Sequence, residues 1–511
     1  MAIVESVESA LGTRRRLRLS SPIDGQPIGD IEVQGKDDVR AALEAARKAQ
    51  PAWAALSFRA RAAYLERALS ILIERHEEFI DVVVRETGKT RLEALYMEIV
   101  ASCDALQYYA RRSEGWLRPR RVRMHLLGLT KRLHMVFRPL GVVGIITPWN
   151  GPFILSLNPT VQALMAGNAV LLKPSEVTPH SGRLVGELFR AAGLPEGVLQ
   201  VLLGDGETGA ALVEAGVDKI SFTGSVSTGR KIGEACGRQL VPCTLELGGK
   251  DAMIVCADAN LERAAGGALF GAFMNTGQVC VAVERVYVVG EVAEAFIETV
   301  VAKTRALRQG QGDDVDVGAI FWPHQLDIIE AHVEDARARG ATIHAGGRRN
   351  PHLGGLYYEP TVISGVTHEM RVMREETFGP VLAIMRVRDE EEALQLANDS
   401  CYGLSGSVWT RDRKRGLELA QRLETGSVSV NETSLTYGVT EAPFGGVKQS
   451  GVGQVNGETG LRGFCHARPI IVDRFGLDRE QAWYPFSAAK ARTMRRIMRL
   501  VWGTPLRRWI S

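Results

Sequence analysis

The sequence lacks any run of about 18 consecutive apolar residues, the length that a membrane-spanning helix requires. The segment that comes nearest, residues 141–157, is interrupted by Pro148, Asn150 and Pro152. Three consecutive arginines begin at Arg14, but no apolar segment followed by a small-residue cleavage site accompanies them. We therefore expect neither a spanning helix nor an export signal.

The chain also has little excess charge, because 62 Lys and Arg residues oppose 59 Asp and Glu residues and leave a formal net charge of +3. Such a chain has no overall field that attracts polyanions, so we expect no nucleic-acid partner. Hydrophobic residues make up 45% of the chain and charged residues 24%, as in ordinary globular proteins. At about 100–200 residues per domain, the 511 residues predict several domains.

Metal and disulfide chemistry is poorly represented. The seven cysteines are scattered, odd in number and without a CxxC pair, so neither a disulfide framework nor a zinc site is predicted. None of the ten histidines has metal-ligand spacing to a second histidine or cysteine. We expect reduced thiols, no bound metal and a cytoplasmic location.

The order of apolar patterns predicts an α/β protein. Helical spacing runs through residues 39–53, 60–84 and 91–112, and residues 122–127 and 132–137 resemble a hairpin. From residue 141 short apolar strands alternate with helical segments, and a second such series follows Glu246. This alternation is typical of doubly wound parallel sheets.

The last segment, residues 474–511, has a different composition, with nine Lys and Arg residues against two acids. Met494, Ile497, Met498 and Val501 fall at helical spacing, while arginines occupy the remaining positions around them. This pattern predicts a basic amphipathic helix, which suits docking on a protein surface or peripheral attachment to an anionic membrane.

Two glycine-rich turns each join a predicted strand to a helix. The first, residues 204–209, contains Gly206 and Gly209 and has the GxGxxG spacing of a dinucleotide-binding turn, although a tight turn explains it equally well. The second contains Phe222, Thr223, Gly224 and Ser225. It could present backbone N–H groups and a helix N-terminus to a pyrophosphate.

Two further residues have reactive side chains in glycine-rich surroundings. Cys280 follows Gly277, a residue that lets backbone approach a ligand, although most single cysteines are packing residues. Glu246 lies between a predicted strand and a Gly-Gly turn, where partial burial would raise its pKa toward that of a general base. A helix-capping acid is the alternative interpretation of Glu246.

Seven motifs in order decide how these residues are interpreted. They are TPWN at 147–150, KPSE at 173–176, FTGS at 222–225, ELGGK at 246–250, GQVC at 277–280, EETFGP at 375–380 and PFGGVKQSG at 443–451. Over residues 20–470 the chain resembles the aldehyde dehydrogenase superfamily. The segment beyond Arg474 lies outside the common pattern.

The resemblance implies a covalent mechanism. Cys280 would attack an aldehyde carbonyl, and the Asn150 side chain and the Cys280 backbone N–H would stabilise the oxyanion that forms. Hydride transfer to the nicotinamide would leave a thioester on Cys280. Glu246 would then activate a water molecule to release the acid.

The resemblance also implies a nicotinamide cofactor. Lys173 and Glu176 would contact the adenosine ribose, and Glu376 would contact the nicotinamide ribose. A carboxylate at position 176 would repel a 2′-phosphate, which favours NAD, while Lys173 leaves NADP as the second option. The full set of expected cofactor residues is Ile146, Thr147, Pro148, Trp149, Lys173, Ser175, Glu176, Gly206, Gly209, Phe222, Thr223, Gly224, Ser225, Leu247, Glu376 and Phe378.

The fold that the resemblance implies is an α/β one with a Rossmann-type dinucleotide-binding domain, an α/β catalytic domain and a β oligomerisation arm. The expected ranges are 20–120 and 139–246 for the first domain, 247–432 for the second, and 121–138 with 440–470 for the arm. Burying the arm's edge strands against a second subunit would give a homodimer or homotetramer.

The substrate is predicted from the residues expected beside the aldehyde. Phe153, Ile154, Leu157 and residues 433–439 are apolar or uncharged, which favours an apolar aliphatic or aromatic aldehyde. The EETFGP variant with Thr377 resembles semialdehyde-oxidising branches, so succinate semialdehyde is the alternative. A CoA-acylating enzyme and a catalytically silent binding or structural protein stay open as other classes.

Overall fold

A computed structural model describes residues 3–7, 14–125, 128, 130–480 and 483–505. Helices and strands are numbered here in chain order. The chain begins with a three-stranded antiparallel sheet of β1 Val4–Val7, β2 Arg16–Ser20 and β3 Pro27–Glu32. The helices that follow are α1 Lys36–Ala55, α2 Phe58–Glu74, α3 His76–Thr87, α4 Arg91–Glu93 and, after a π-helical segment at Ala94–Val100, α5 Ala101–Leu117.

The prediction of one helix over residues 60–84 is wrong in one respect. The backbone leaves helical geometry at Arg75, where φ is −108° and ψ is 17°, so two helices occupy this range. Periodicity misses the break because apolar residues continue at helical spacing on both sides of it.

The predicted hairpin belongs to a three-stranded sheet of β4 Arg120–Val122, β5 Lys131–Pro139 and β19 Cys465–Asp473. β4 pairs antiparallel with β5, as expected, but it ends at Val122 and not at residue 127. Residues 126 and 127 lie outside the described residues. β19 is exposed along almost its whole length.

A six-stranded sheet in the order β18-β10-β9-β6-β7-β8 forms the first α/β unit. All of its neighbouring strands are parallel except β18 and β10. β6, with the sequence VVGII, is buried along its length, as expected for a strand covered on both faces. The strands are β6 Val142–Ile146, β7 Ala169–Lys173, β8 Leu199–Val201, β9 Lys219–Thr223, β10 Cys243–Glu246 and β18 Gly451–Val452; the helices between them are α6 Ile154–Met165, α7 Pro179–Ala191, α8 Gly206–Glu214 and α9 Val226–Gln239.

A seven-stranded sheet in the order β13-β14-β15-β12-β11-β16-β17 forms the second α/β unit, with β13 antiparallel to its neighbour and the other pairs parallel. Its strands are β11 Asp251–Val255, β12 Val283–Val289, β13 Thr342–Ala345, β14 Thr361–Ser364, β15 Val381–Val387, β16 Gly406–Trp409 and β17 Ser429–Val430; its helices are α10 Leu261–Phe273, α11 Ala293–Arg305, α12 Pro323–Ala338, α13 Arg371–Arg374, α14 Glu390–Asn398 and α15 Arg413–Arg422. The predicted α/β class with parallel sheets is confirmed.

Apolar side chains cover both faces of each large sheet. One face of the six-stranded sheet packs on α2, α3, α5, α6 and α7, and the other on α1, α8 and α9. The two faces of the seven-stranded sheet pack in the same way on the helices of the second unit. The segment after residue 440 contributes both β18 and β19, so it joins two sheets, and the domain boundaries given above stay a prediction.

The chain ends with two helices, α16 Gly457–Arg462 and α17 Ala488–Trp502. The basic amphipathic helix predicted from the sequence is α17. Across the described ranges, no helix is both long and apolar enough to cross a membrane.

Candidate active site

The three expected catalytic residues lie where the two large sheets meet. Asn150 follows the carboxyl end of β6, Glu246 is the last residue of β10, and Cys280 lies in the loop between α10 and β12. Glu246 and Cys280 line one cavity of about 20 Å³, together with side chains of α6 and the segment after residue 433. The Asn150 side chain reaches the same loop through a 3.0 Å hydrogen bond to the Gln278 carbonyl.

The loop before Cys280 has an unusual backbone. Asn275, Thr276 and Gly277 have φ values of 54°, 56° and 72°. Left-handed conformations cost non-glycine residues about 1–2 kcal/mol each and persist where the surroundings hold them. Two buried amides do so here: Asn275 Nδ2 donates to the Asn150 carbonyl at 2.9 Å, and Gln278 Nε2 donates to the Asn275 carbonyl at 3.0 Å.

Gly277 brings this loop against the segment that contains Glu376. A Cβ atom on Gly277 would lie 2.1 Å from the Gly379 carbonyl oxygen and 2.8 Å from the Ala272 carbonyl oxygen. Glycine is therefore required both by the positive φ and by the close approach of two backbones. The loop that contains Cys280 and the expected nicotinamide segment are thus in direct contact.

Glu246 is a buried carboxylate without compensation. The residue is 5% exposed, and neither carboxylate oxygen has a hydrogen-bond partner among the described residues. Burial raises the pKa of this carboxyl group well above its usual value. These are the properties of a general base, and not of a helix-capping acid, which would accept backbone N–H groups.

Cys280 is half-buried. Burial raises the pKa of its thiol, and the nearby carboxyl groups of Asp251, Glu376 and Glu246 raise that pKa further. The resting side chain is therefore a neutral thiol, and forming the nucleophilic thiolate requires a proton acceptor.

The first group of expected cofactor residues lies at the ends of β6 and β7. Thr147 N–H donates to the Lys173 carbonyl at 3.1 Å, which joins the TPWN and KPSE segments. Lys173 Nζ lies 3.1 Å from a Glu176 carboxylate oxygen. The Trp149 ring packs edge-on against the Phe378 ring, with centroids 5.3 Å apart. Ile146, Pro148 and Ser175 occupy the same two segments.

The second group surrounds the N-terminus of α9. Ser225 is exposed and caps this 14-residue helix by accepting a hydrogen bond from Thr228 N–H at 3.3 Å. Gly224 N–H donates to the Glu246 carbonyl at 3.0 Å, so this turn is fixed to strand β10. Leu247 packs so closely that a Cβ on Gly229 would lie 2.4 Å from it. An accessible helix N-terminus in a glycine-containing turn fits a pyrophosphate.

The GxGxxG segment is built differently. Asp205 caps α8, and its carboxylate also contacts Arg15 at 2.5 Å. A negative group therefore already occupies this helix N-terminus, and Gly204, with φ of 149°, serves the turn. A Cβ on Gly206 or Gly209 would meet nothing within 4 Å. Their contact with a cofactor stays a prediction.

A buried acid that the sequence analysis did not identify binds the backbone of the segment that contains Glu376 and Phe378. Glu284 accepts the backbone N–H groups of Thr377 and Phe378, each at 2.8 Å, and forms a buried ion pair with Lys250. Glu376 accepts the Gly249 N–H at 2.9 Å, and burial raises its pKa to about 8. Lys250 is therefore a structural ion partner, and no local sequence motif marks Glu284.

The position of α6 corrects one set of predicted residues. Leu155, Asn158, Pro159 and Gln162 line the cavity beside Cys280, and they share one helix face at spacings of three and four. Phe153 and Leu157 are instead fully buried in the hydrophobic core. Polar residues of α6 lie both on the cavity side, at Asn158 and Gln162, and away from it, at Ser156 and Thr160, so the sequence did not show which side lines the cavity.

Comparisons with known proteins agree with this geometry. Residues 10–470 match the model of the aldehyde dehydrogenase family. A 4,4'-diapolycopene aldehyde oxidase of Methylomonas sp. is 40% identical over 486 residues, which cover 94% of this chain and 91% of that protein. A putative NADP(+) succinate-semialdehyde dehydrogenase of Mycolicibacterium smegmatis is 41% identical over 465 residues, 89% of each chain.

Solved structures give the same result. An aldehyde dehydrogenase of Mycobacterium tuberculosis complexed with NAD+ superposes with a TM-score of 0.85 at 34% identity, over 91% of this chain and 96% of that one. An NAD-dependent aldehyde dehydrogenase of Sinorhizobium meliloti gives 0.88 at 34% identity, over 94% and 95%. The chain belongs to the aldehyde dehydrogenase family. It is an oxidoreductase that acts on the aldehyde group and uses NAD or NADP.

Replacing Gly277 by Ala tests the contact between the two loops. The new Cβ would lie 2.1 Å from the Gly379 carbonyl oxygen, so one loop must move, and displacements of this size lower rates by about tenfold or more. We expect kcat to fall by at least about tenfold while the protein stays folded. Steady-state kinetics and circular dichroism measure both quantities.

Gly266→Ala is the matched control, because a Cβ at this helical position meets nothing within 4 Å. This variant should retain the original kcat. Equal kcat values for the two variants would show that the close approach at Gly277 has no catalytic importance.

Proposed function

We propose that this enzyme oxidises an apolar aliphatic or aromatic aldehyde to the carboxylic acid through covalent intermediates on Cys280. The observation that carries the proposal is that the unpartnered carboxylate of Glu246 and the thiol of Cys280 line one cavity. A catalytically silent binding protein would have no reason to retain an uncompensated buried carboxylate beside a thiol.

The first step is attack on the carbonyl carbon by Cys280 as a thiolate, after its proton has passed to the solvent, and this attack places negative charge on the aldehyde oxygen. Asn150 Nδ2 has two hydrogens, and one of them is fixed by the Gln278 carbonyl at 3.0 Å. The other, together with the Cys280 backbone N–H, is the donor pair for the oxyanion. Donors held in place before the charge develops lower the barrier without reorganising at the moment of reaction.

Collapse of the tetrahedral intermediate expels a hydride and leaves a thioester on Cys280. NAD or NADP, when bound, supplies the cationic ring that accepts this hydride. The packing of Trp149 against Phe378 and the clamp of Glu284 on the 377–378 backbone hold the residues that would surround this ring.

Hydrolysis of the thioester requires a water molecule and a base. The cavity between Glu246 and Cys280 has a volume of about 20 Å³, and about 10–15 Å³ is enough for one water molecule. Glu246 in its ionised form would take a proton from this water as the water attacks the thioester carbonyl. The presence of Glu246 favours water over CoA as the acceptor of the acyl group from the thioester.

The choice of cofactor depends on the Lys173–Glu176 pair. Glu176 projects a carboxylate at the expected ribose position, which repels a 2′-phosphate and favours NAD. Lys173 is 4% exposed and paired with that carboxylate at 3.1 Å, so its charge is largely compensated. NADP stays the second option, as in the relatives named for it.

The cavity lining supports an apolar substrate. The described lining residues include Leu155, Leu404, Tyr437, Phe444 and Val455, and they contain neither Arg nor Lys. A substrate with a distal carboxylate would have no counter-ion here. Succinate semialdehyde is the alternative, because several relatives that are about 40% identical carry that name.

The exposed arm supports a homodimer or homotetramer. Ile470, Ile471 and Val472 on β19 are all exposed, and such an edge strand promotes pairing with another chain unless it is covered. A second subunit would cover it.

Cys280 must stay reduced to react, which suits the cytoplasm.

The tail supports peripheral attachment to an anionic membrane. Within α17, whose residues are all described, Val501 is the one buried side chain, while Met494 and Met498 are exposed. Ile497 is half-buried, so only part of the apolar face docks on the described part of the subunit. Exposed aromatic side chains, Trp483, Tyr484, Phe486 and Trp502, and the arginines of α17 provide the apolar and cationic contacts that such a surface requires.

The first experiment measures reduction of NAD and, separately, of NADP with aldehydes of increasing chain length and with succinate semialdehyde. We expect NADH formation whose kcat/KM rises with chain length, because each buried methylene contributes about 0.8 kcal/mol. Cys280→Ala should abolish it, and Cys401→Ala, at an exposed position, is the matched control. A preference for succinate semialdehyde would contradict the apolar assignment, and no Cys280-dependent signal would favour a silent protein.

Replacing Glu246 by Gln keeps the size of the side chain but removes the proton acceptor. We expect deacylation to slow by about 10²- to 10⁴-fold, so that one NADH per active site forms in a burst before turnover stops. Because the ionised form is active and burial raises its pKa, the deacylation rate should rise as pH rises through that raised pKa. The variant should lose this rise in stopped-flow measurements.

Glu44→Gln, on the exposed face of α1, is the control for the same change in charge and should behave like the unchanged enzyme. Undiminished steady-state turnover in Glu246→Gln would exclude Glu246 as the base. Formation of acyl-CoA when CoA is added would exclude the hydrolytic route.

Deleting residues 486–511 tests the tail. We expect co-sedimentation with phosphatidylcholine vesicles that contain phosphatidylglycerol to be lost, together with turnover of long-chain aldehydes presented in those vesicles. Turnover of short, soluble aldehydes should not change. Unchanged vesicle binding would refute the membrane role, and a smaller assembly after deletion would assign the tail to subunit contact.

A further inference from the structure

A buried ion pair outside the reacting groups lies directly behind Asn150. We propose that Lys89 and Glu98 are positioning residues that hold Asn150 in the orientation in which its side chain donates to the oxyanion. This inference rests on the proposed function, since it concerns the donor that the mechanism assigns to Asn150.

Lys89 contacts the backbone of Asn150. Both side chains of the pair are fully buried, and Lys89 Nζ lies 2.5 Å from a Glu98 carboxylate oxygen. The same ammonium donates to the Asn150 carbonyl at 3.2 Å, where Asn275 Nδ2 also donates at 2.9 Å. Two donors on one carbonyl leave the Asn150 peptide plane little freedom to rotate.

Glu98 holds the other end of the same segment. Its second carboxylate oxygen accepts the backbone N–H groups of Phe153 at 3.1 Å and Ile154 at 2.9 Å. These groups belong to the first turn of α6, where a negative charge is favoured by the helix dipole. The turn that carries Asn150 is thus fixed at its start through Lys89 and at its end through Glu98.

The helix that carries Glu98 departs from α-helical geometry at this point. Residues Ala94–Val100 form a π-helical segment, and such segments are frequent at functional sites because they redirect side chains. Glu93, at the preceding turn, accepts the Asn275 N–H at 2.6 Å. One stretch of the chain therefore supports both the Asn150 turn and the Cys280 loop.

Stability alone is a weak reason for this pair. Desolvating two charges offsets most of their attraction, and replacing such a pair by neutral groups of similar size is often neutral or stabilising. A rigid, charge-assisted contact between the oxyanion donor and its support accounts for the arrangement better. Neither Lys89 nor Glu98 lines the cavity of Glu246 and Cys280, so their effect on the rate is assigned to the positioning of Asn150.

A double-mutant cycle tests this route. Lys89→Met with Glu98→Gln removes both charges together, so no unpaired charge stays buried, and Asn150→Ala removes the donor. We expect the paired variant to lower kcat about tenfold or more with KM changed less than about twofold, because oxyanion donors act on the transition state. In the Asn150→Ala background the same pair should change kcat less than about twofold.

Two outcomes would overturn the positioning role. One is an equal fold-loss of kcat with Asn150 intact and in the Asn150→Ala background, which indicates general damage. The other is no loss of kcat when Asn150 is intact. If the paired variant does not fold, Glu98→Gln alone enters the same cycle. An Asn150→Ala enzyme with undiminished kcat would contradict the proposed mechanism instead, so the two failures are distinguishable.

Discussion

The rest of the site depends on one costly feature, the ionisable carboxyl group of Glu246, which is buried at the end of β10 without a hydrogen-bond partner among the described residues. An isolated carboxylate in such surroundings shifts its pKa and becomes neutral unless something compensates its charge. A chain tolerates this group only where the neighbouring backbone cannot rearrange to satisfy it. β10 meets that condition, because it is fixed on both sides, by β9 and by β18.

Two other buried acids near the site, Glu284 and Glu98, differ from Glu246 because each is paired with a lysine. The carboxylate oxygens of Glu284 accept hydrogen bonds from Lys250 and from two backbone N–H groups. Glu98 does the same with Lys89 and the first turn of α6. A satisfied ionic group rigidifies its surroundings, whereas the unsatisfied Glu246 keeps the capacity to bind a proton.

Much of this organisation could be read from the sequence, because local patterns encode it. Alternating apolar strands and helices predicted the parallel sheets, and the resemblance carried by seven ordered motifs pointed to Asn150, Glu246 and Cys280. The partners that act at long range could not be found in this way. Glu98 lies 52 residues from Asn150 and Glu284 lies 38 residues from Glu246 in the sequence, and no spacing rule connects them. The face of α6 that lies beside Cys280 was predicted wrongly for another reason. All residues of this helix are buried, so polarity does not mark that face.

The carboxyl groups around Cys280 do not all carry charge at neutral pH. Burial raises the pKa of Asp251 and of Glu376 to about 8, so both are mostly protonated at pH 7, and Glu246 is raised as well. The site is therefore less negative than its composition suggests. Deprotonating Cys280 creates a new anion near these groups, which opposes their ionisation in turn. Thiolate formation at Cys280 and ionisation of these carboxyl groups therefore oppose each other.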